Sequence, residues 1–473
     1  MALFADKPDD DGLPGAERRL VMVSVMTMTA MTVLDGTIVN VALPTIAREL
    51  DVPAASAIWV ANGYLLAAAM TLMIFAALAN RVGFRALFVA GVGVFSLASL
   101  GCAVSSSLEM LTAMRVLQGI GGAATLSIGP AIYRTVFPTR LLGRILGLNA
   151  LLVAASTAIG PTFGGALLSV ASWPWLFAIN VPLGVIGAVL GWRAIPQTRS
   201  ASREPFDIPG AGLSALAMGA LIMAAEACSQ LGDGAWHTAA AYGLLALAAG
   251  WVFVWRQRRA PVPLLPLDIF HSSRFSMAAL TSLAAFVSQG ITIIALPFLF
   301  QNAYGYSVFD AALLFTAWPI GIVLAAPQAG RLADRYPPAL LSTAGLGVFT
   351  LGLILLALLP DHAGAVDICW REFLCGVGFG FFQSPNNREM LANVSRERSG
   401  TASGVLAIMR TFGQCLGAAV VGVVLSIYAA RWLDGGVLSA AQDAQAMRWA
   451  IGFAAAAAGV AGMVSFARIR KAA

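Results

Sequence analysis

The sequence predicts an all-α integral membrane protein: two pseudo-symmetric six-helix bundles with two further transmembrane helices inserted between them. Three observations carry that expectation. The chain is too poor in charge to coat a water-facing surface, its apolar runs have spanning length, and its basic residues keep to one side of those runs. Of 473 residues, 59% are hydrophobic and 11% are charged, and the mean hydropathy is +0.81. A soluble chain carries about 25% charged residues. A span needs ~20 mostly apolar residues, so fourteen would use roughly 280, leaving only short loops and tails.

In chain order, the first six apolar windows are residues 20–43, 58–79, 86–106, 108–132, 145–170 and 175–192. Two more lie at 208–228 and 238–255. The last six are 275–300, 309–328, 339–359, 366–385, 401–428 and 448–467. The residues before the first window are acidic (Asp6, Asp9, Asp10, Asp11, Glu17) rather than a basic signal-peptide start, so that window is expected to be retained as a helix. The cysteines (Cys102, Cys228, Cys369, Cys375, Cys415) sit in or beside apolar runs without a CxxC pair and read as small buried hydrophobes. His237, His271 and His362 are far apart and suggest no metal site.

Charge tests the count. With the N-terminus inside, 23 of the 29 lysines and arginines fall in inner tails and loops. Arg48, Arg431 and Arg448 fall outside, and Arg115, Arg371 and Arg410 fall within spans. One miscounted helix would invert every later loop, so the positive-inside rule supports fourteen spans in a plasma (inner) membrane with both termini cytoplasmic. The same bias accounts for the net charge of +6 without a nucleic-acid partner.

The chain resembles itself at an offset of 253–257 residues. Ala42-Leu43-Pro44 matches Ala295-Leu296-Pro297, Asn80-Arg81 matches Asp334-Arg335, and Gly119-Ile120-Gly121 matches Gly376-Val377-Gly378. Gly143, Gly147 and Gly160 match Gly400, Gly404 and Gly417. The collinear order divides the chain into a bundle at 1–192, a linker with two extra spans at 193–274, and a second bundle at 275–473. Parallel repeats with a site between them suit alternating access.

Few residues carry chemistry. Asp35 lies inside the first span, where a carboxylate marks an ion or proton path by default; the alternative is a structural carboxylate capping nearby backbone. Arg115 in the fourth span is its natural partner. The two lie about 13 and 11 Å from the outer ends of their helices at 1.5 Å per residue. Gln118 is one turn from Arg115 on the same face. A fixed ion pair pinning two helices remains the alternative. Gly160-Pro161-Thr162-Phe163-Gly164-Gly165 lacks an N–H at proline and is small enough for close helix approach. Glu226 near a helix end reads as snorkelling, and Trp173 and Trp175 read as an interfacial belt.

These residues resemble the major facilitator superfamily, and within it the fourteen-span drug:proton antiporters, over nearly the whole chain. Leu34-Asp35 through Leu43-Pro44 is similar to that group's first-helix motif, Arg115-Val116-Leu117-Gln118-Gly119 to the fourth-helix motif, and Gly160-Pro161 with Gly164-Gly165 to the antiporter motif. Trp173-Pro174-Trp175-Leu176-Phe177, followed by Asn180 and Pro182, also resembles the group. The loop after the second span departs from the family pattern, with Asn80 where an Asp stands, while Asp334-Arg335 keeps the acid.

The resemblance implies a non-enzymatic, monomeric proton-coupled multidrug exporter surrounded by membrane lipids, moving lipophilic, cationic compounds and conferring antibiotic resistance. It implies proton coupling at Asp35 and Arg115. Gating is expected at Arg81, Gly160, Pro161, Gly164, Gly165, Asp334 and Arg335, with the last acid–base pair as an inner latch. Asn40, Asn62, Tyr64, Gln118 and Gln289, polar or aromatic groups inside spans, are the expected cavity residues. The rival is a proton-coupled uptake symporter for a nutrient. A membrane enzyme or sensor finds no HExxH, no GxSxG with partners and no effector domain.

Overall fold

The computed structural model describes residues 3–4, 10–197, 206–228, 235–361, 363–394, 399–432 and 439–470. Asp6, Lys7, Asp9, Arg199, Arg203, His362, Arg396, Arg398 and Lys471 lie outside them, as do the side chains of Asn80, Arg431 and Arg470. The long segments are helical throughout. In hydrocarbon each unpaired N–H or C=O costs several kcal/mol, and a helix pairs them within one segment.

The first bundle consists of α1 (Gly15–Glu49), α2 (Ala54–Val82), α3 (Phe84–Ala103), α4 (Leu108–Val136), α5 (Leu142–Val170), α6 (Trp175–Ala178) and α7 (Asn180–Ala194). Then come α8 (Ile208–Ala227) and α9 (Ala235–Gln257). The second bundle consists of α10 (Ser273–Phe298), α11 (Val308–Phe315), α12 (Ala317–Leu332), α13 (Pro338–Ala357), α14 (Ala365–Ala392), α15 (Ser399–Trp432) and α16 (Ala440–Arg470). Serine side chains start several of these helices: Ser107, Ser272 and Ser307 each accept from a backbone N–H three residues on.

Two spans that read as continuous in the sequence are broken. α6 passes into α7 at Ile179, and α11 passes into α12 at Thr316. The first piece ends four residues before a proline in each case, at Ala178 before Pro182 and at Phe315 before Pro319. The missing proline N–H leaves that fourth carbonyl without its helical donor. α10 ends similarly, with Pro297 preceding a single π turn at Leu299–Ala303.

Among the described residues, twelve spans are long and apolar enough to cross a membrane, α6–α7 and α11–α12 each counting once. The two that complete the expected fourteen are α4 and α14. Their 29 and 28 residues suffice in length, but they carry the buried polar groups of the bundles and miss the apolar criterion. Trp175 is 57% exposed, whereas Trp173, expected beside it in an interfacial belt, is buried. Trp173 lies just before α6 and is buried edge-on against Phe177 in the apolar core.

The repeat is a physical one. In the first bundle α4 packs on α2 and α3, α1 on α5 and α7, and α3 on α7. In the second, α14 packs on α12 and α13, α10 on α15 and α16, and α13 on α16. The matching glycines do matching work. A Cβ on Gly119 would strike the Tyr64 carbonyl oxygen, and one on Gly376 would strike that of Trp318. One on Gly121 would strike the Phe95 backbone nitrogen, and one on Gly378 that of Phe349.

The halves meet where α2 packs on α15 and where α5 packs on α11 and α12. The α8–α9 pair lies across the α2–α15 seam, with Ile222 buried among Ala68, Leu72, Ile408 and Phe412. It is clipped at its base. Asp207 caps α8 through the Gly210 N–H at 3.0 Å, and accepts from Arg256 at 2.6 Å and Gln257 at 2.7 Å. Gln257 in turn accepts from the Leu265 N–H.

Burial alone would push the Asp207 carboxyl up, but the bonds from Arg256, Gly210 and Gln257 outweigh it and hold the group below the usual carboxylate range. A depressed carboxylate stabilises the fold above its unfolded value and loses that contribution as pH falls through the folded one. Asp207→Ala should therefore loosen the α8–α9 pair by about 0.5–2 kcal/mol at neutral pH. The gap to wild type should close below about pH 4. Hydrogen exchange of the α8 amides across pH measures both.

Candidate functional site

Asp35 sits at mid-length in α1 and is 2% exposed, so its charge survives there only with partners. It has three. Arg115 of α4 donates through Nη1 to Oδ2 at 2.5 Å, Gln118 donates to Oδ1 at 2.9 Å, and Asn180 of α7 donates to Oδ1 at 2.8 Å. Arg115 also donates Nε to the Val60 carbonyl at 2.9 Å and Nη1 to Gln118 Oε1 at 2.6 Å. The Tyr64 ring lies 4.3 Å from its guanidinium carbon and the Phe177 ring 5.6 Å. Gln118 closes the network by donating to Ser99 Oγ at 2.8 Å. Five helices, α1, α2, α3, α4 and α7, are thus tied together around one buried carboxylate.

Beside this cluster a cavity of about 740 Å³ runs between the bundles. Thr32, Gly36 and Tyr64 line it at the level of Asp35, which stands one helical face away. It reaches the end of the molecule where Leu13 donates to the Val136 carbonyl and where Arg468, near the end of α16, bonds Asn386 and Glu389. Phe84, Arg134, Gly400 and Leu265 line it at that end. The opposite end is shut. There one apolar core runs through both halves, from Leu43 and Ile46 to Phe298 and Phe300, and Gln301 donates to the Val41 carbonyl at 2.9 Å.

Of the five expected cavity residues, Asn40, Tyr64 and Gln289 line the cavity. Asn62 and Gln118 do not. Asn62 is buried at the α2–α15 seam, accepting from Cys415, and Gln118 is taken up by the Asp35 network. Both are polar groups whose partners lie in neighbouring helices, which a polar-residue criterion does not distinguish from cavity lining. The walls missed in the sequence are Gln414, which donates to Gln289 at 3.0 Å, and the arginines Arg134 and Arg410. No carboxylate is among the lining residues described.

The residues expected to gate separate into two sets. Gly160 and Gly164 admit Thr37 and Ile38 of α1, and Gly165 admits Ala312 of α11, so the Gly-Pro segment packs α5 against both bundles. Pro161 is buried within that contact, and Thr162 shares a 2.5 Å hydroxyl bond with Thr316 of the other half. The expected Asp334–Arg335 latch is different in detail: Asp334 pairs with Arg388 at the end of α14. Adjacent residues at a helix end diverge, whereas α14 brings Arg388 alongside. Arg81 donates to the Ala77 carbonyl at 2.9 Å, with the Phe206 ring 5.3 Å from its guanidinium.

The sequence alone does not connect Asn180 and Ser99 with the Asp35–Arg115 pair. The cue for Asn180 lies in the chain, an amide beginning a helix just after Pro174, but its aim toward Asp35 needs the α6–α7 break. Removing one partner of a buried pair strands the other. Arg115→Ala should cost about 3–5 kcal/mol, and Asp35→Asn in the same chain should recover part of it. Thermal unfolding in detergent of the two single variants and the double variant measures the coupling.

The chain matches the Major Facilitator Superfamily over residues 25–418. It is 43% identical over 421 residues to the uncharacterized transporter YebQ of Escherichia coli K12, covering 89% of this chain and 92% of that one. It is 28% identical to the riboflavin transporter RibZ of Clostridioides difficile, over 85% of this chain and 87% of that one. It is 32% identical to the methylenomycin A resistance protein of Streptomyces coelicolor, over 85% of each chain. Two helical bundles related by an internal repeat, a buried acid–base cluster and a cavity on their seam accompany a match across most of the sequence: the chain is a multi-pass membrane transporter of the Major Facilitator Superfamily.

Proposed function

We propose that the protein is a proton-coupled exporter of lipophilic small molecules, working by alternating access in a plasma membrane with both chain ends cytoplasmic. The observation that carries the reading is the Asp35 cluster, a saturated acid–base network one helical face from the cavity wall. Protonation of Asp35 would free Arg115 and Gln118 from it, so the hydrogen bonds of five helices respond to one proton. Residues 1–192 and 275–473 rock against each other in this reading, and 193–274 rides on their seam. The open end is then cytoplasmic. The Gly160–Gly165 contacts between α5 and both bundles, together with the relative named for methylenomycin A resistance, favour export. The riboflavin-transporter relative favours the second reading, a nutrient carrier.

On substrate charge the cavity supports a reading other than the cationic one. Its lining offers Arg134 and Arg410, hydroxyls and amides, and no carboxylate; the one nearby acid, Asp35, is neutralised by Arg115. In a low-dielectric cleft unlike charge is favoured and like charge is penalised. Neutral or anionic amphipathic compounds fit these walls, within the ~300–1,000 Å³ usual for small-molecule sites.

In everted vesicles from a pump-deficient host, Asp35→Asn should abolish accumulation driven by a pH gradient while leaving the protein in the membrane. Undiminished coupled transport would remove Asp35 from the mechanism. Arg410→Gln should weaken anionic substrates by about 1.5–3 kcal/mol, a factor of roughly ten to a hundred in apparent affinity, and leave neutral ones nearly unchanged. A panel of anionic, neutral and cationic dyes in the same vesicles measures the difference.

A further inference from the structure

The internal repeat places a second ionisable group where the first bundle holds its guanidinium. At the offset that carries Gly119 to Gly376, Arg115 corresponds to Glu372. At the offsets of the neighbouring helices, Tyr64 corresponds to Trp318 and Asp35 to Ser288. The packing confirms the register. Gly119 seats on the Tyr64 carbonyl one turn beyond Arg115, and Gly376 seats on the Trp318 carbonyl one turn beyond Glu372.

The two positions differ in one respect. Arg115 is saturated, whereas Glu372 is fully buried with no partner for either carboxyl oxygen among the described residues. Ser288 Oγ and Trp318 Nε1 are likewise buried and unpaired there. The C-terminal bundle thus holds an acid, a hydroxyl and an indole N–H at the three positions that form the coupling cluster in the N-terminal bundle.

Among the described residues no cation pairs with Glu372. Its neighbour Arg371 points away, bonded to Asp367 and to the Leu355 carbonyl. On α14 the titratable groups that sense Glu372 are the thiols of Cys369 and Cys375. Of the helices packed on α14, α13 has no ionisable residue. Arg331 on α12 and Arg274 on α10 lie 13 and 14 residues from Trp318 and Ser288, ~20 Å at 1.5 Å per residue. Asp310 on α11 is bonded to Ser307. On α15, Arg410 faces the cavity and Cys415 bonds Asn62, while Tyr428 packs against the apolar core.

An ionised carboxylate stripped of water and of every donor is so costly that the group neutralises instead. A neutral acid carries no charge to compensate, and its one O–H donor and carbonyl acceptor ask less of a dry interior than a carboxylate does. We propose that Glu372 is a second proton-binding site, a carboxylic acid that holds its proton in this conformation and releases it when the shut end of the cavity opens. Glu372 lies seven residues into α14 from that shut end, ~10 Å in depth, where opening admits water. The inference is independent of Asp35 and of the direction of transport.

Infrared difference spectroscopy on the full chain in nanodiscs, wild type minus Glu372→Gln, tests it without a substrate. Glu372→Gln mimics the neutral acid in shape, so the variant should fold. The difference at neutral pH should contain the carbonyl stretch of one protonated carboxylic acid, and the same band should persist in Asp35→Asn. A carboxylate signal in its place overturns the proposal. Thr162→Cys/Thr316→Cys, with Cys228→Ser, then bridges the halves next to the shut end. The oxidised protein should keep the band at alkaline pH where the reduced protein loses it. Identical titration of the two overturns the link to opening.

Discussion

A carboxylate and a guanidinium in the middle of a membrane-spanning bundle are tolerable only when each satisfies the other and every remaining donor finds an acceptor. That requirement places Asn180, Gln118 and the Val60 carbonyl around Asp35 and Arg115. It ties α1, α2, α3, α4 and α7 into one unit, and it makes α4 less apolar than the spans around it although it lies at the centre of its bundle. A change of one proton at this point would alter the hydrogen bonding of five helices at once, so the same cluster can serve both structure and the proposed coupling.

The second bundle repeats the scaffold without repeating the chemistry. Glycines at equivalent positions let α14 approach α12 and α13 as α4 approaches α2 and α3, so backbone packing is conserved between the halves. Side chains at the equivalent of the ion pair are Ser288 and Glu372, and the network that neutralises Asp35 has no counterpart among the described residues. The two interiors thus differ in chemistry on a shared scaffold.

The seam between bundles has a different physics from either interior. At the shut end it is an apolar core continuous across both halves, supplemented by the Gln301–Val41 and Thr162–Thr316 bonds. Toward the other end it parts into the cavity, and the α8–α9 pair covers the α2–α15 side. The Asp207 clip fixes that pair at its base while Leu264 and Leu265, beyond α9, contribute to the cavity wall. The inserted helices therefore do more than lengthen the connection.

The sequence by itself determined the architecture. Apolar run length, the one-sided basic residues and the collinear repeat are properties of order along the chain, and hydrocarbon permits only one backbone solution for such runs. It also determined the Asp35–Arg115 pair, because two opposite charges at similar depth in spanning helices have few other ways to be neutral. Only the tertiary structure decided what depends on helix rotation and on breaks. Asn180 reaches Asp35 because α6 stops at Ala178; Asn62 and Gln118 turn into neighbouring helices rather than the cavity; Asp334 meets Arg388 rather than Arg335. The cavity's charge was hidden for the same reason. Arg134 and Arg410 lie in different halves of the sequence, and only the packing of two bundles brings them to one cavity.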